Sequence, residues 1–84
     1  MKNMADNKKV YVYYPEMGGI YKHYKGGLYK VLTMAEYSES DEPMVVYRSL
    51  GFKSIHVRPL SSFNEVVIAC GSNSKRVNRF ELVS

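Results

Sequence analysis

The sequence predicts a small, mainly antiparallel β-barrel, with a β-sandwich as the alternative way to close so short a chain. Three observations predict it. The apolar residues occur in short alternating runs rich in Val and Tyr, as half-buried strands require. No stretch sustains the 3.6-residue apolar period of a helix. Turn signals built on Gly, Pro, Ser and Asn recur about every eight to twelve residues. A chain of 84 residues holds one domain with a modest core. Closing the sheet also removes edges that so small a protein would otherwise have to protect.

Taken in order, residues 1–8 are polar and read as a flexible tail, and residues 9–84 as the single domain. "KKVYVYYP" predicts a strand over Lys9–Tyr14 that Pro15 stops. "EMGG" turns the chain, "IYKHY" alternates again, and "KGG" turns it back. Leu28–Tyr37 is the longest strand candidate, with Tyr29, Val31, Thr33 and Ala35 on one face and Leu32 and Met34 on the other. An amphipathic helix competes for this run, but the preceding Gly27 and the β-branched and aromatic content favour a strand. "SESDEP", Ser38–Pro43, reads as an acidic loop. "MVVYRSL" predicts a strand placing Val45 and Tyr47 on one side and Val46 and Arg48 on the other. "SIHV" predicts a short strand with Ile55 and Val57 inward and His56 and Arg58 outward, ended by Pro59. A single helical turn near 60–64 precedes the strand "VVIAC", and after "GSNS" the run "KRVNRFELV" reads as one closing strand.

Composition narrows the class. Hydrophobic residues make up 45% and charged residues 24%, the balance of an ordinary globular domain. The longest apolar runs fall far short of the roughly 20 residues a membrane span needs, so no membrane partner is expected. The polar N-terminus lacks a signal-peptide core, and one cysteine allows no internal disulfide framework; together they predict a cytoplasmic protein. Cys70 reads as a small buried hydrophobe rather than a reactive thiol. The net charge of +4 is unevenly spread: residues 1–30 and 47–84 are each basic by four, and residues 31–46 acidic by four. Such a balance mildly favours phosphate-bearing partners.

Catalysis finds little support. Two His and one Cys are scattered without ligand spacing, so neither a metal nor any other cofactor is expected. Ser38, Glu39 and His23 could converge as a nucleophilic triad, but no nucleophile-elbow pattern surrounds the serine. The glycine pairs lack the strand-to-helix setting of a phosphate-cradling loop. A non-enzymatic role is therefore the expectation.

Binding is better supported. Eight Tyr, three Phe and no Trp give an unusual tyrosine loading, and Tyr combines a rigid apolar face with a polar tip suited to stacking. Tyr11, Tyr13, Tyr14 and Tyr29 read as ordinary strand residues, whereas Tyr21, Tyr24 and Tyr47 each neighbour a basic residue and balance packing against binding. Lys22, Lys25, Arg48 and Arg58 could hold phosphate or carboxylate, with Arg gripping two oxygens at once. Arg48, between Val46 and Leu50 on one strand face, needs a partner if sheltered. That partner is either Glu36 or Glu39 from the acidic loop, or an anionic ligand assisted by His23; Arg58 faces the same choice. The basic run Lys75–Arg79 reads as exposed charge on an edge strand.

The segments "GIYKHYKGGLYKVLTMAEYSES", "MVVYRSL", "HVRPLSSF" and "VNRF", in this order, resemble the bacterial and phage domain of unknown function 1653 family from about Gly19 to Leu82. The resemblance implies a small SH3-like β-barrel and carries no established activity. The family usually has histidine where this chain has Tyr37, threonine at Ser40, tryptophan at His56 and proline at Asn78. If the usual histidine and tryptophan shape a pocket, this chain's pocket differs in form and pH response.

The expectation is therefore an SH3-like barrel acting as a binding module. Its candidate wall residues are His23, Tyr24, Lys25, Ser38, Glu39, Tyr47, Arg48 and Arg58. The expected ligand is an anionic, nucleotide-like small molecule or single-stranded nucleic acid. Tyr rings would stack on a base, Arg48 and Arg58 would hold phosphate, and Ser38 and Glu39 would read polar groups. The alternative is a protein- or peptide-interaction module, possibly homodimeric, using an aromatic groove or strand edge.

Overall fold

The computed structural model describes residues 13–69 and 75–84. Its elements run β1 (Ile20–His23), β2 (Leu28–Tyr37), β3 (Glu42–Ser49), β4 (Ile55–Pro59), α1 (Leu60–Phe63), β5 (Val66–Ile68), β6 (Arg76–Asn78) and β7 (Phe80–Leu82). They form a five-stranded antiparallel sheet in the order β4-β3-β2-β1-β7 and a two-stranded sheet of β5 and β6. The mainly antiparallel, barrel-like fold expected from the alternation is present. Most of the expected Lys9–Tyr14 strand, and Cys70, lie outside the described residues; Tyr13 and Tyr14 carry no strand assignment.

Tight turns set the register. Between β1 and β2, Gly26 and Gly27 have φ of +107° and +91°, backbone conformations that side chains resist. Gly27 also backs directly onto Tyr29: a Cβ there would stand 3.3 Å from the tyrosine ring. The β2–β3 hairpin closes through Asp41, in the left-handed region at φ 60°, whose N–H bonds the Tyr37 carbonyl at 2.6 Å. Ser49, buried in the β3–β4 hairpin, accepts a hydrogen bond from the Phe52 N–H at 3.1 Å.

Three expectations about faces and strands need correction. First, β2 does not alternate throughout. Val31 pairs with Tyr47 and Thr33 with Val46, so Leu32 is an extra residue in a β-bulge that reverses the phase. Tyr29, Val31 and Met34 consequently share the inner face, while Thr33 and Ala35 turn outward. Second, the faces of β4 are the reverse of those expected. Tyr47 pairs with His56 and Val45 with Arg58, so His56 and Arg58 share the face of the buried core. Ile55 and Val57 lie outside, 63% and 58% exposed. Third, the closing run is two strands: β6 pairs with β5, and β7 with β1. The chain changes sheets at Arg79, whose N–H bonds the Glu65 carbonyl and whose carbonyl accepts from the Tyr24 N–H. Its guanidinium meets the Glu65 carboxylate at 2.7 Å.

The core consists of Tyr21, Val31, Val45, Tyr47, Leu60, Phe63 and Phe80, with Tyr29 and Met34 packed against it. α1 matches the expected helical turn and sends Leu60 and Phe63 into this core. Phe63 and Phe80 stack face to face at 4.2 Å, and Tyr21 meets Phe63 edge-on at 5.3 Å. Aromatic rings therefore supply most of the buried volume, and their edges remain visible where the barrel opens.

Candidate functional site

At one end of the barrel the aromatic core opens into a cleft of about 230 Å³ lined by His23, Tyr29, Tyr47, His56, Arg58 and Phe80. Register explains the gathering. His23 pairs with Phe80 across β1 and β7, and Tyr47 with His56 across β3 and β4; Tyr29 stands between them on β2. Tyr47 and Phe80, only 5% and 6% exposed, make the floor. The rings interlock edge-to-face: Tyr29 lies 5.5 Å from Tyr47 and 5.7 Å from Phe80, and Tyr47 lies 5.4 Å from Phe80. His23 meets Phe80 edge-on at 4.9 Å, and His56 stacks on Tyr47 at 5.5 Å.

Arg58 closes one wall. Its Nε donates to the Tyr47 hydroxyl at 3.1 Å and its Nη1 to Ser62 Oγ at 2.9 Å, with the guanidinium carbon 5.7 Å from the Phe80 ring centre. Both partners are neutral. Among the described residues no carboxylate lies in ion-pair range of Arg58. The Tyr47 oxygen accepts from Arg58, which leaves its own O–H as a donor.

His23 adds another donor. The Lys25 backbone N–H donates to His23 Nδ1 at 3.1 Å, so that nitrogen is unprotonated and Nε2 carries the ring proton. Burial first, then the charges of Arg58, Arg79 and Lys25, lower the His23 pKa below its ordinary 6.5. The cleft is thus a polar mouth of N–H and O–H donors over an aromatic floor, in a positive field. Among the described residues no group of His, Cys, Asp and Glu side chains could hold a metal.

Of the wall residues expected from sequence, the structure brings His23, Tyr47 and Arg58 together. Tyr24 and Lys25 sit beside the cleft in the β1–β2 turn, with Lys25 Nζ 5.7 Å from the Tyr24 ring centre. Ser38 and Glu39 are not part of the site: they are exposed in the β2–β3 turn, about 30 Å along the strand from Tyr29 at ~3.3 Å per residue. The triad with His23 therefore does not form. Arg48 lies on the outer face between Lys30 and Ile55, and no ion pair joins it to Glu36 or Glu39. Its Nε is buried without a hydrogen-bond partner. Three cleft residues, Tyr29, His56 and Phe80, went unselected. Tyr29 reads as an ordinary strand tyrosine, the phase of "SIHV" turns His56 outward, and Phe80 carries no polar signal at all.

The fold and the site define a small, mainly antiparallel, barrel-like β domain with an aromatic, arginine-walled cleft. The chain belongs to the family described as protein of unknown function (DUF1653), whose sequence model matches residues 19–82. A crystal structure of a protein of this family from Bordetella bronchiseptica is similar at a TM-score of 0.69 and 35% sequence identity, over 81% of this chain and 87% of that one. No functionally curated protein shows a match.

Proposed function

We propose that this domain is a non-enzymatic binding module whose cleft receives a planar ring carrying an anionic group, most simply a nucleotide-like base and phosphate. The observation that carries the reading is Arg58: a guanidinium held in place by two hydroxyls, facing a cleft, with no carboxylate among the described residues to neutralise it. An aromatic cage alone would suit a cation. Here the arginine and the charges that depress His23 oppose one, and the convergent donors suit oxyanions.

Size sharpens the reading. At about 230 Å³ the cleft lies below the roughly 300–1,000 Å³ of ordinary small-molecule pockets. It suits a single base and leaves sugar and further phosphates at the mouth.

The test is thermal unfolding of the full chain with a series of nucleoside monophosphates, their nucleosides and inorganic phosphate. A ligand at about 100 times its Kd adds about 2.7 kcal/mol, raising the Tm by roughly 10–20 °C in a domain of this size. The monophosphate should shift the Tm more than nucleoside or phosphate alone, and Arg58→Gln should remove that difference. A peptide-binding cleft would respond instead to peptides ending in an aromatic residue with a free carboxylate. No monophosphate shift at millimolar concentration sinks the nucleotide reading.

A further inference from the structure

We infer that the cleft is the first of two adjoining subsites for single-stranded nucleic acid, with the second in the groove between β1–β7 and the β5–β6 hairpin. The inference rests on the base-and-phosphate reading of the first cleft. Its own support comes from what lies on the other side of His23.

His23 lines two cavities. One is the aromatic cleft; the other is a groove of about 220 Å³ that also takes in Lys22, Tyr24, Val77, Asn78 and Glu81. The groove runs on past Val77, Asn78 and Glu81 into a shallow cleft of about 330 Å³ reached by Arg76. Beyond His23 the surface therefore continues as a series of adjoining cavities rather than a closed wall. A mononucleotide would occupy only its first part.

The ridge between the two cavities is aromatic. The His23 and Tyr24 rings are 4.8 Å apart and inclined at 39°. Tyr24 is half-buried and packs on no aromatic ring of the core; the His23 ring and the Lys25 ammonium are its neighbours. Lys25 Nζ stands 5.7 Å from the Tyr24 ring, where it can meet the phosphate joining two stacked bases.

Charge favours the same occupant. Lys22 and Arg76 border the groove, with Lys25 beside Tyr24 at its rim, against one lining carboxylate, Glu81, which pairs with Lys22 across β1 and β7. Glu81 can serve as an acceptor for a base amino group. Asn78 supplies an amide with both donor and acceptor. Stacking rings beside a basic track are what sequence-tolerant single-strand recognition uses.

The test compares thymidine 5′-monophosphate with the tetranucleotide dT4, titrated into the full chain by calorimetry at 50 and 200 mM salt. Each additional stacked base contributes a factor of roughly 5 to 150 in affinity. The tetranucleotide should therefore bind tighter than the monophosphate by at least that factor, and with a steeper salt dependence. Tyr24→Ala should bring the affinity ratio close to one. Lys22→Gln and Lys25→Gln should each reduce the tetranucleotide salt slope by about 0.7. Equal affinities for the two probes overturn the second subsite while the first cleft stands. A preference for dT4 that Tyr24→Ala leaves untouched overturns the path over His23. Binding of neither probe removes both readings together.

Discussion

Arg58 donates its Nε proton to the Tyr47 hydroxyl at 3.1 Å, joining the charged wall of the cleft to a floor residue that is almost wholly buried. The contact aims the guanidinium, which would otherwise sample the several rotamers open to a long side chain. Tyr47 is at once a core residue and the orienting group for the cation, so packing and recognition are coupled at one hydroxyl.

Tyr47→Phe separates these two roles. The ring still fills the core, and loss of the hydrogen bond should cost about 1 kcal/mol, or roughly 4–8 °C in Tm. Urea and thermal unfolding would measure that cost. Anion affinity should fall by more than the stability change alone explains, because Arg58 loses its aim.

His23 should titrate below 6.5 in the folded chain, as followed by the NMR shift of its ring protons against pH. Burial leads the depression, followed by Arg58, Arg79 and Lys25. The unfolded chain then takes up the proton first as pH falls. Stability from the neutral ring is full above about pH 6.5 and declines from there through the folded pKa. An anion bound beside Arg58 offsets the surrounding positive charge and should move the midpoint upward.

Gly27→Ala should cost about 1–2 kcal/mol, because φ is +91° there. The added methyl also presses on the Tyr29 ring at 3.3 Å, so the cage should loosen as the fold weakens. Near-ultraviolet circular dichroism would report the changed tyrosine environment, and an unchanged spectrum with unchanged Tm would contradict the account.

Phe63→Ala removes one ring of the 4.2 Å stack with Phe80. The expected cost is about 3–5 kcal/mol, a large share of what holds so small a domain together. Phe63→Leu keeps most of the volume and should cost under about 1.5 kcal/mol. Glu65→Gln should matter far less: its ion pair with Arg79 has the glutamate 53% exposed, and such pairs contribute below about 1 kcal/mol. Denaturant midpoints of the three variants should follow that order.

Much of the fold was legible because local signals and tertiary needs agree. Glycine pairs bracket β1, Pro59 ends β4, and the "LSSF" turn coincides with α1. The expected acidic loop Ser38–Pro43 is shorter than read: Glu42 and Pro43 belong to β3 and pair with Tyr37 and Glu36, and the proline is accommodated because pairing with β4 reaches only to Met44. What could not be read was phase. Leu32 is an ordinary strand residue by type, so nothing local announces that it is the extra one. His56 and Arg58 looked solvent-facing because Ile55 and Val57 are apolar; the sheet nonetheless exposes the apolar pair and turns the polar pair to the cleft. Arg58 and His23 were selected for their chemistry. Phe80 reaches the site only through the switch of sheets at Arg79, a long-range pairing invisible along the chain.

The Leu32 bulge gives β2 an unusual kind of tolerance. Removing that one residue would put Tyr29, Val31 and Met34 into unbroken alternation, so every side chain in the strand would keep its side of the sheet. What would be lost is curl, since a bulge bends and twists the strand that carries it. Elsewhere in β2, a change of one residue in length would exchange inside for outside. Leu32 is thus the position where strand length governs barrel curvature alone, and a natural place for the chain to lengthen or shorten while preserving its core.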